Sequence, residues 1–169
     1  MKAQAETALS NVNGIQTAIA GQDFATAAKN ASNLQSSAQA MNEELSSPIW
    51  NVAAMLPVVG SDVKGVQTIA SALADASDNA IVPLTSSLST TPPSACINAD
   101  GKLDVAAITT LLGAIQNGAP AMQRCTDELT SLPAFHIEKL QKLVGAAQEK
   151  ITGINDVFQE ANTFAPIIG

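Results

Sequence analysis

Tyrosine is missing from this sequence, tryptophan and histidine occur once each, and cysteine occurs twice. Aromatic residues amount to 3% of the chain, while alanine supplies much of the 46% apolar content. Alanine is the strongest helix former and lets helices approach closely. Large ligand cavities are lined mainly by aromatic and bulky aliphatic side chains. The composition therefore predicts a filled, alanine-rich interior rather than a large cavity. Cations are equally scarce. The eight lysines and arginines lie scattered at Lys2, Lys29, Lys64, Lys102, Arg124, Lys139, Lys142 and Lys150, against a net charge of −7. Without a basic stripe, no nucleic-acid partner is expected, and no docking on anionic lipid. The most apolar stretch, Val52 to Gly60, is short and holds Pro57, so no segment reads as a membrane span. Lys2 is followed by Gln4, Glu6 and Thr7 rather than an apolar core, unlike a signal peptide.

What is present is helical periodicity. The 169 residues suffice for one domain with a real core, and the apolar fraction is too high for a disordered chain of this charge. From about Ala3 to Ala20, Leu9, Val12, Ile15 and Ile19 fall on one helix face. Gly21 ends that helix and Asp23 caps the next. There, Phe24, Ala27, Ala31, Leu34, Ala38, Met41 and Leu45 step alternately by three and four, a heptad seam whose small residues imply close packing. Pro48 opens a short helix that Pro57 closes, with Trp50 placed to staple this elbow onto the bundle. Ser61 or Asp62 caps a helix carrying Val63, Val66, Ile69 and Leu73, and Pro83 predicts a kink or break in it. Ser89 to Lys102 is the longest irregular stretch. Asp104 caps a long helix weakened by Gly113, Gly118 and Pro120 and ended by Pro133. A last helix spans about Ile137 to Phe164, with Leu140, Leu143, Val144, Ala147, Ile151, Ile154 and Phe158 on its core side. The expected fold is all-α: one domain over residues 1–169, an antiparallel up-and-down helical bundle of four long helices plus shorter helical elements.

Catalytic chemistry finds little to work with. One histidine, His136, and two cysteines do not make a zinc site unless a carboxylate joins them, and His136 reads as a surface or helix-start residue. Asn98-Ala99-Asp100-Gly101-Lys102-Leu103-Asp104 superficially resembles a calcium loop, but glycine falls fourth rather than sixth and Thr109 stands where the twelfth-position glutamate belongs. It reads as a turn feeding the Asp104 cap. Glu43-Glu44 and Asp127-Glu128 point apart on a helix, and Asp75 with Asp78 reads as a solvated face. No nucleophile elbow, phosphate loop or zinc-protease motif occurs. The expectation is a non-enzymatic chain with no cofactor, no metal and no catalytic residues.

Cys96 and Cys125 are too far apart in sequence for a redox pair. They are either free core thiols or one disulfide, and the loop position of Cys96 favours the disulfide. That bridge would close a loop of about thirty residues, worth on the order of 3 kcal/mol, and would imply an oxidising, extracytoplasmic location.

Several short motifs carry a family likeness. They are Gly21-x-Asp23-Phe24-x-x-Ala27, Pro48-x-Trp50, Leu56-Pro57-x-x-Gly60-x-Asp62, Asp100-Gly101-x-Leu103-Asp104 and the closing Ala165-Pro166-Ile167-Ile168-Gly169. With them the chain resembles the N-terminal helical region of the bacterial family named domain of unknown function 4012. The resemblance implies a cell-surface protein with a membrane anchor upstream and a larger domain downstream, of which this chain is a fragment. It assigns no functional residues. The expected function is a non-enzymatic, extracytoplasmic helical module that spaces or docks the downstream domain at the bacterial cell envelope, with other envelope proteins as further candidate partners. The alternative is a ligand-sensing helical-bundle ectodomain. A pocket between helices would favour the sensor, and a filled interior the spacer.

Overall fold

The computed structural model describes residues 2–168, with side chains placed from 3 to 163. Helix α1 (Lys2–Ala20) turns into helix α2 (Phe24–Leu45) through chemistry confined to Gly21, Gln22 and Asp23. The Asp23 N–H bonds back to the Ala18 carbonyl at 2.8 Å, and the Gln22 N–H to that of Ile19 at 3.0 Å. These are the two bonds of a Schellman cap. The Asp23 carboxylate then accepts the Thr26 N–H at 3.0 Å and caps α2. Gly21 ends α1 as expected, but the left-handed residue is Gln22, with φ 58°. Along α2 the predicted seam is the core face: Ala27, Ala31, Leu34, Ala38, Met41 and Leu45 are all buried.

Helix α3 (Pro48–Ala53) is the short elbow, and helix α4 (Val59–Ala76) follows it. Between them Val58 has φ 72° and ψ −56°, with the Val59 N–H bonded to the Pro57 carbonyl at 2.9 Å. This is a γ-turn in the strained, left-handed sense, an unfavourable geometry for a β-branched residue. It starts α4 earlier than either predicted cap, Ser61 or Asp62. Of the kink or break expected at Pro83, the chain shows no break, but the regular α-helix is interrupted just before the proline. Pro83 has no N–H to give to the Asn79 carbonyl. The chain absorbs the deficit in a π turn (Ser77–Ile81), where the Val82 N–H reaches the Ser77 carbonyl, and continues directly into helix α5 (Val82–Thr90).

A short 3-10 turn (Pro93–Cys96) and one isolated bridge, Ile97 to Leu103, organise the loop before helix α6 (Val105–Thr130). Among the described residues no other strand pairing occurs. Asp104 caps α6 as predicted, accepting the Ala107 N–H at 3.0 Å. Helix α7 (Glu138–Ile168) completes the fold. The contacts join α1 to α2, α2 to α4 and α5, α4 to α6, and α6 to α7. Cross-links fix the directions. Gln67 reaches the Leu45 carbonyl while Asp78 accepts from Gln35 and Gln39, so α2 and α4 run antiparallel. Gln148 bonds to the Leu129 carbonyl and Asn155 to Gln123, so α6 and α7 do too. Gly118 is required where α6 meets the π turn, because a Cβ there would sit 2.8 Å from the Phe158 ring and 3.0 Å from the Ala80 Cα.

The expected Cys96–Cys125 disulfide is corrected by this geometry: both are free thiols. The Cys96 carbonyl accepts the Asp104 N–H at 2.8 Å, which holds Cys96 at the start of α6. Cys125 lies near the other end of the same helix, about 30 Å away at 1.5 Å rise per residue. A disulfide needs Cα atoms within about 7 Å. Burial, and then the charges of Glu128 and Asp75, push the Cys125 thiol up to about 12, so it is an inert core residue.

The cost of a left-handed glutamine sets up a test of the α1–α2 turn. Gln22→Gly removes the Cβ clash of that conformation and is expected to stabilise the fold by about 1 kcal/mol. Urea denaturation checks it, and an unchanged or lower midpoint contradicts the turn geometry.

Candidate functional site

A cleft of about 830 Å³ opens between α1, α2, α4 and α7. It arises because α1 packs on α2 and α7 packs on α6, while α1 and α7 meet only marginally. The apolar faces they turn inward are therefore covered only in part: Val12 and Ile151 are buried in the core, while Leu9, Val66, Ile69 and Leu143 remain half-buried. Leu9 and Val12 come from α1, Val66 and Ile69 from α4, and Leu143 and Ile151 from α7. The α2 seam forms the floor through Leu34, Met41 and Leu45. This contradicts the filled interior read from composition. The chain-wide scarcity of bulky side chains is real, but those present gather on these faces.

Trp50 also lines the cleft. It is half-buried and packs against the core rather than being enclosed by it, since none of the residues of α3 is buried. The outer side of the same elbow is bare. Ile49 is 74% and Met55 82% exposed, with Val52, Leu56 and Val58 exposed beside them. No charged residue occurs between Pro48 and Gly60.

One buried carboxylate stands at the edge of the cleft. Asp62, in the first turn of α4, is 2% exposed. It accepts the backbone N–H of His136 at 3.0 and 3.1 Å, that of Ile137 at 3.0 Å, and lies 3.0 Å from His136 Nδ1. Burial raises the carboxyl pKa, but the backbone and side-chain donors of His136 and the Ile137 N–H together hold it below the ordinary value. Asp62 thus anchors the chain just before α7 rather than capping its own helix. Its acceptor sites are occupied, so it offers nothing to a polar guest.

Asn98, Asp75 and Asp78 each make contacts that hold the fold. His136 is exposed at the lead-in to α7. The Asn98 side chain accepts the Asp100 and Lys102 N–H groups at 3.0 and 2.9 Å, closing a turn around Gly101 with φ 74°. Asp75 and Asp78 do more than face solvent. Asp75 takes the Arg124 guanidinium of α6 at 2.8 Å, and Asp78 takes the two glutamine amides of α2. Among the described residues no three His, Cys, Asp or Glu side chains gather in a metal-holding group. No described helix is long and apolar enough to cross a membrane.

Of the motifs that carry the family likeness, Gly169 lies outside the described residues, as do the side chains of 165–168. No family model, curated protein or solved structure matches the chain.

Asp62 stabilises the fold only while it is ionised. Its folded pKa is lowered, so its contribution is complete above pH 3.8 and disappears as pH falls through the lower folded value. Asp62→Asn is expected to lose about 2 kcal/mol at pH 7, the usual size for charge-assisted hydrogen bonds, and to flatten the acid limb of the stability–pH curve. Equal stability of variant and parent at pH 7 contradicts the role.

Proposed function

We propose that this domain binds an apolar ligand in the cleft between α1, α2, α4 and α7, the ligand-sensing alternative among the readings of the sequence. The observation that carries it is the cleft: a volume of about 830 Å³ walled by aliphatic side chains such as Leu9, Val66, Ile69 and Leu143, with charged groups at its rim. Its size falls in the range of small-molecule sites, roughly 300–1,000 Å³. Exposed aliphatic walls lose free energy to water, so a guest that replaces that water is favoured. Binding rather than turnover is the function proposed: the Ser61 hydroxyl lies 3.4 Å from His136 Nδ1, but that is the same nitrogen that lies 3.0 Å from the Asp62 carboxylate.

The spacer or docking reading draws on a different observation, the exposed apolar elbow around Ile49, Val52 and Met55. Such a patch suits a neighbouring domain or envelope protein. The resemblance to the family named domain of unknown function 4012 supports an extracytoplasmic, membrane-anchored setting for either function. With both cysteines free, that location rests on the resemblance alone.

A neutral fluorescent probe, N-phenyl-1-naphthylamine, tests the binding function. Saturable one-to-one binding with a change in Trp50 emission is expected. Ala147→Phe, which fills the cleft from α7, is expected to weaken it by tenfold or more. At a hundredfold excess over Kd, binding contributes about 2.7 kcal/mol, a rise in Tm of roughly 5–10 °C. Non-saturable uptake, or equal binding by the filled variant, refutes this function.

A further inference from the structure

We infer that the cleft takes a long-chain alkyl carboxylate, with its chain laid along the aliphatic walls and its anionic head on the lysine edge of α7. The inference rests on the binding function just proposed and adds the class of ligand.

The walls exclude most chemistry first. Asp62 is the one charged group set into the buried wall, and its acceptor sites already hold N–H donors. A sugar, nucleotide or peptide would leave its hydrogen-bonding groups dry and unpaired inside, a heavy penalty for each. An alkyl chain loses nothing there. The elongated lining suits it, since Leu140 to Ile151 runs about 16 Å along α7 at 1.5 Å per residue.

The rim then selects the head. Lys139, Lys142 and Lys150 all border the cleft, three of the eight cations in a chain of net charge −7. Their spacing of three and then eight puts them on one stripe of α7, beside its apolar face. Lysine stems can line an apolar wall while their ammonium groups stay in water. Lys142 is paired with Glu138 at 2.7 Å. Among the described residues neither Lys139 nor Lys150 has an ion-pair partner. All the cations that border the cleft lie on the α7 side, which draws an anionic head there. An amphiphile with a carboxylate head fits both the greasy wall and this asymmetric rim.

Calorimetric titration with octanoate, decanoate and dodecanoate below their micelle concentrations, against dodecanol, tests it. Affinity for the carboxylates is expected to rise about fourfold per methylene, the increment for burying a CH2 group. The double variant Lys139→Gln/Lys150→Gln is expected to weaken dodecanoate about fivefold, an effect shrinking at high salt, and to leave dodecanol unchanged. Thermal unfolding of the double variant checks that both exposed substitutions leave the fold intact. Dodecanol binding as tightly as dodecanoate, with no response to the lysine substitutions, overturns the anionic head while the cleft function stands. Carboxylates whose affinity ignores chain length overturn the placement of the tail. Failure of every ligand, dodecanol and the naphthylamine probe included, overturns the cleft function as well.

Discussion

How α7 is held decides the shape of this molecule. Along its length it is bonded to α6, where Gln148 meets the Leu129 carbonyl and Asn155 meets Gln123. At its start it is held by Asp62, which gathers the N–H groups of His136 and Ile137 into a buried carboxylate. From α1 it receives almost nothing. A helix fixed on one side and at one end, with an apolar face left over, must either close on a neighbour or leave a gap. The neighbour it would close on, α1, is itself drawn the other way by the alanine seam of α2.

That seam explains why the gap persists. Ala27, Ala31 and Ala38 are fully buried, and small residues bring α1 and α2 close together. The π turn and Gly118 do the same between α4, α5 and α6. Tight packing on those faces leaves part of the bulky side chains of α4 and α7, Val66, Ile69, Leu140 and Leu143, only half-buried. They line a space instead of filling one. The rim inherits its charge from the outer stripe of α7, which concentrates lysine in a chain otherwise short of cations.

Much of the fold was legible in the sequence. The α2 seam, the Asp23 and Asp104 caps and the long final helix depend on spacing and on local hydrogen bonds, which sequence encodes directly. The misreadings have a common cause in tertiary context. Pro83 reads as a kink or a break; the interruption is a π turn, in which the Val82 N–H reaches the Ser77 carbonyl and the helix carries on. Asp62 looked like a cap for its own helix, but its partners lie 74 residues on, at His136. The loop position of Cys96 favours a disulfide with Cys125, and only the placement of that loop at the start of α6 shows how far apart the two are. The cleft was missed because composition averages over the chain. The signal lay in the apolar breadth of α7, where Ile137, Leu140, Leu143, Val144, Ala147 and Ile151 cover more surface than one alanine-lined neighbour can bury.

The central claim is that the facing walls of α1 and α7 are apart and receive an alkyl chain. Methyl-labelled protein in a deuterated background, with protonated dodecanoate, reads this directly through intermolecular nuclear Overhauser effects. The account predicts contacts from the chain methylenes to Leu9, Val12, Leu143 and Ile151, and no Leu9–Leu143 contact in the free protein. Direct Leu9–Leu143 contacts in the free protein, or chain contacts confined to Ile49, Val52 and Met55 on the elbow, would contradict it.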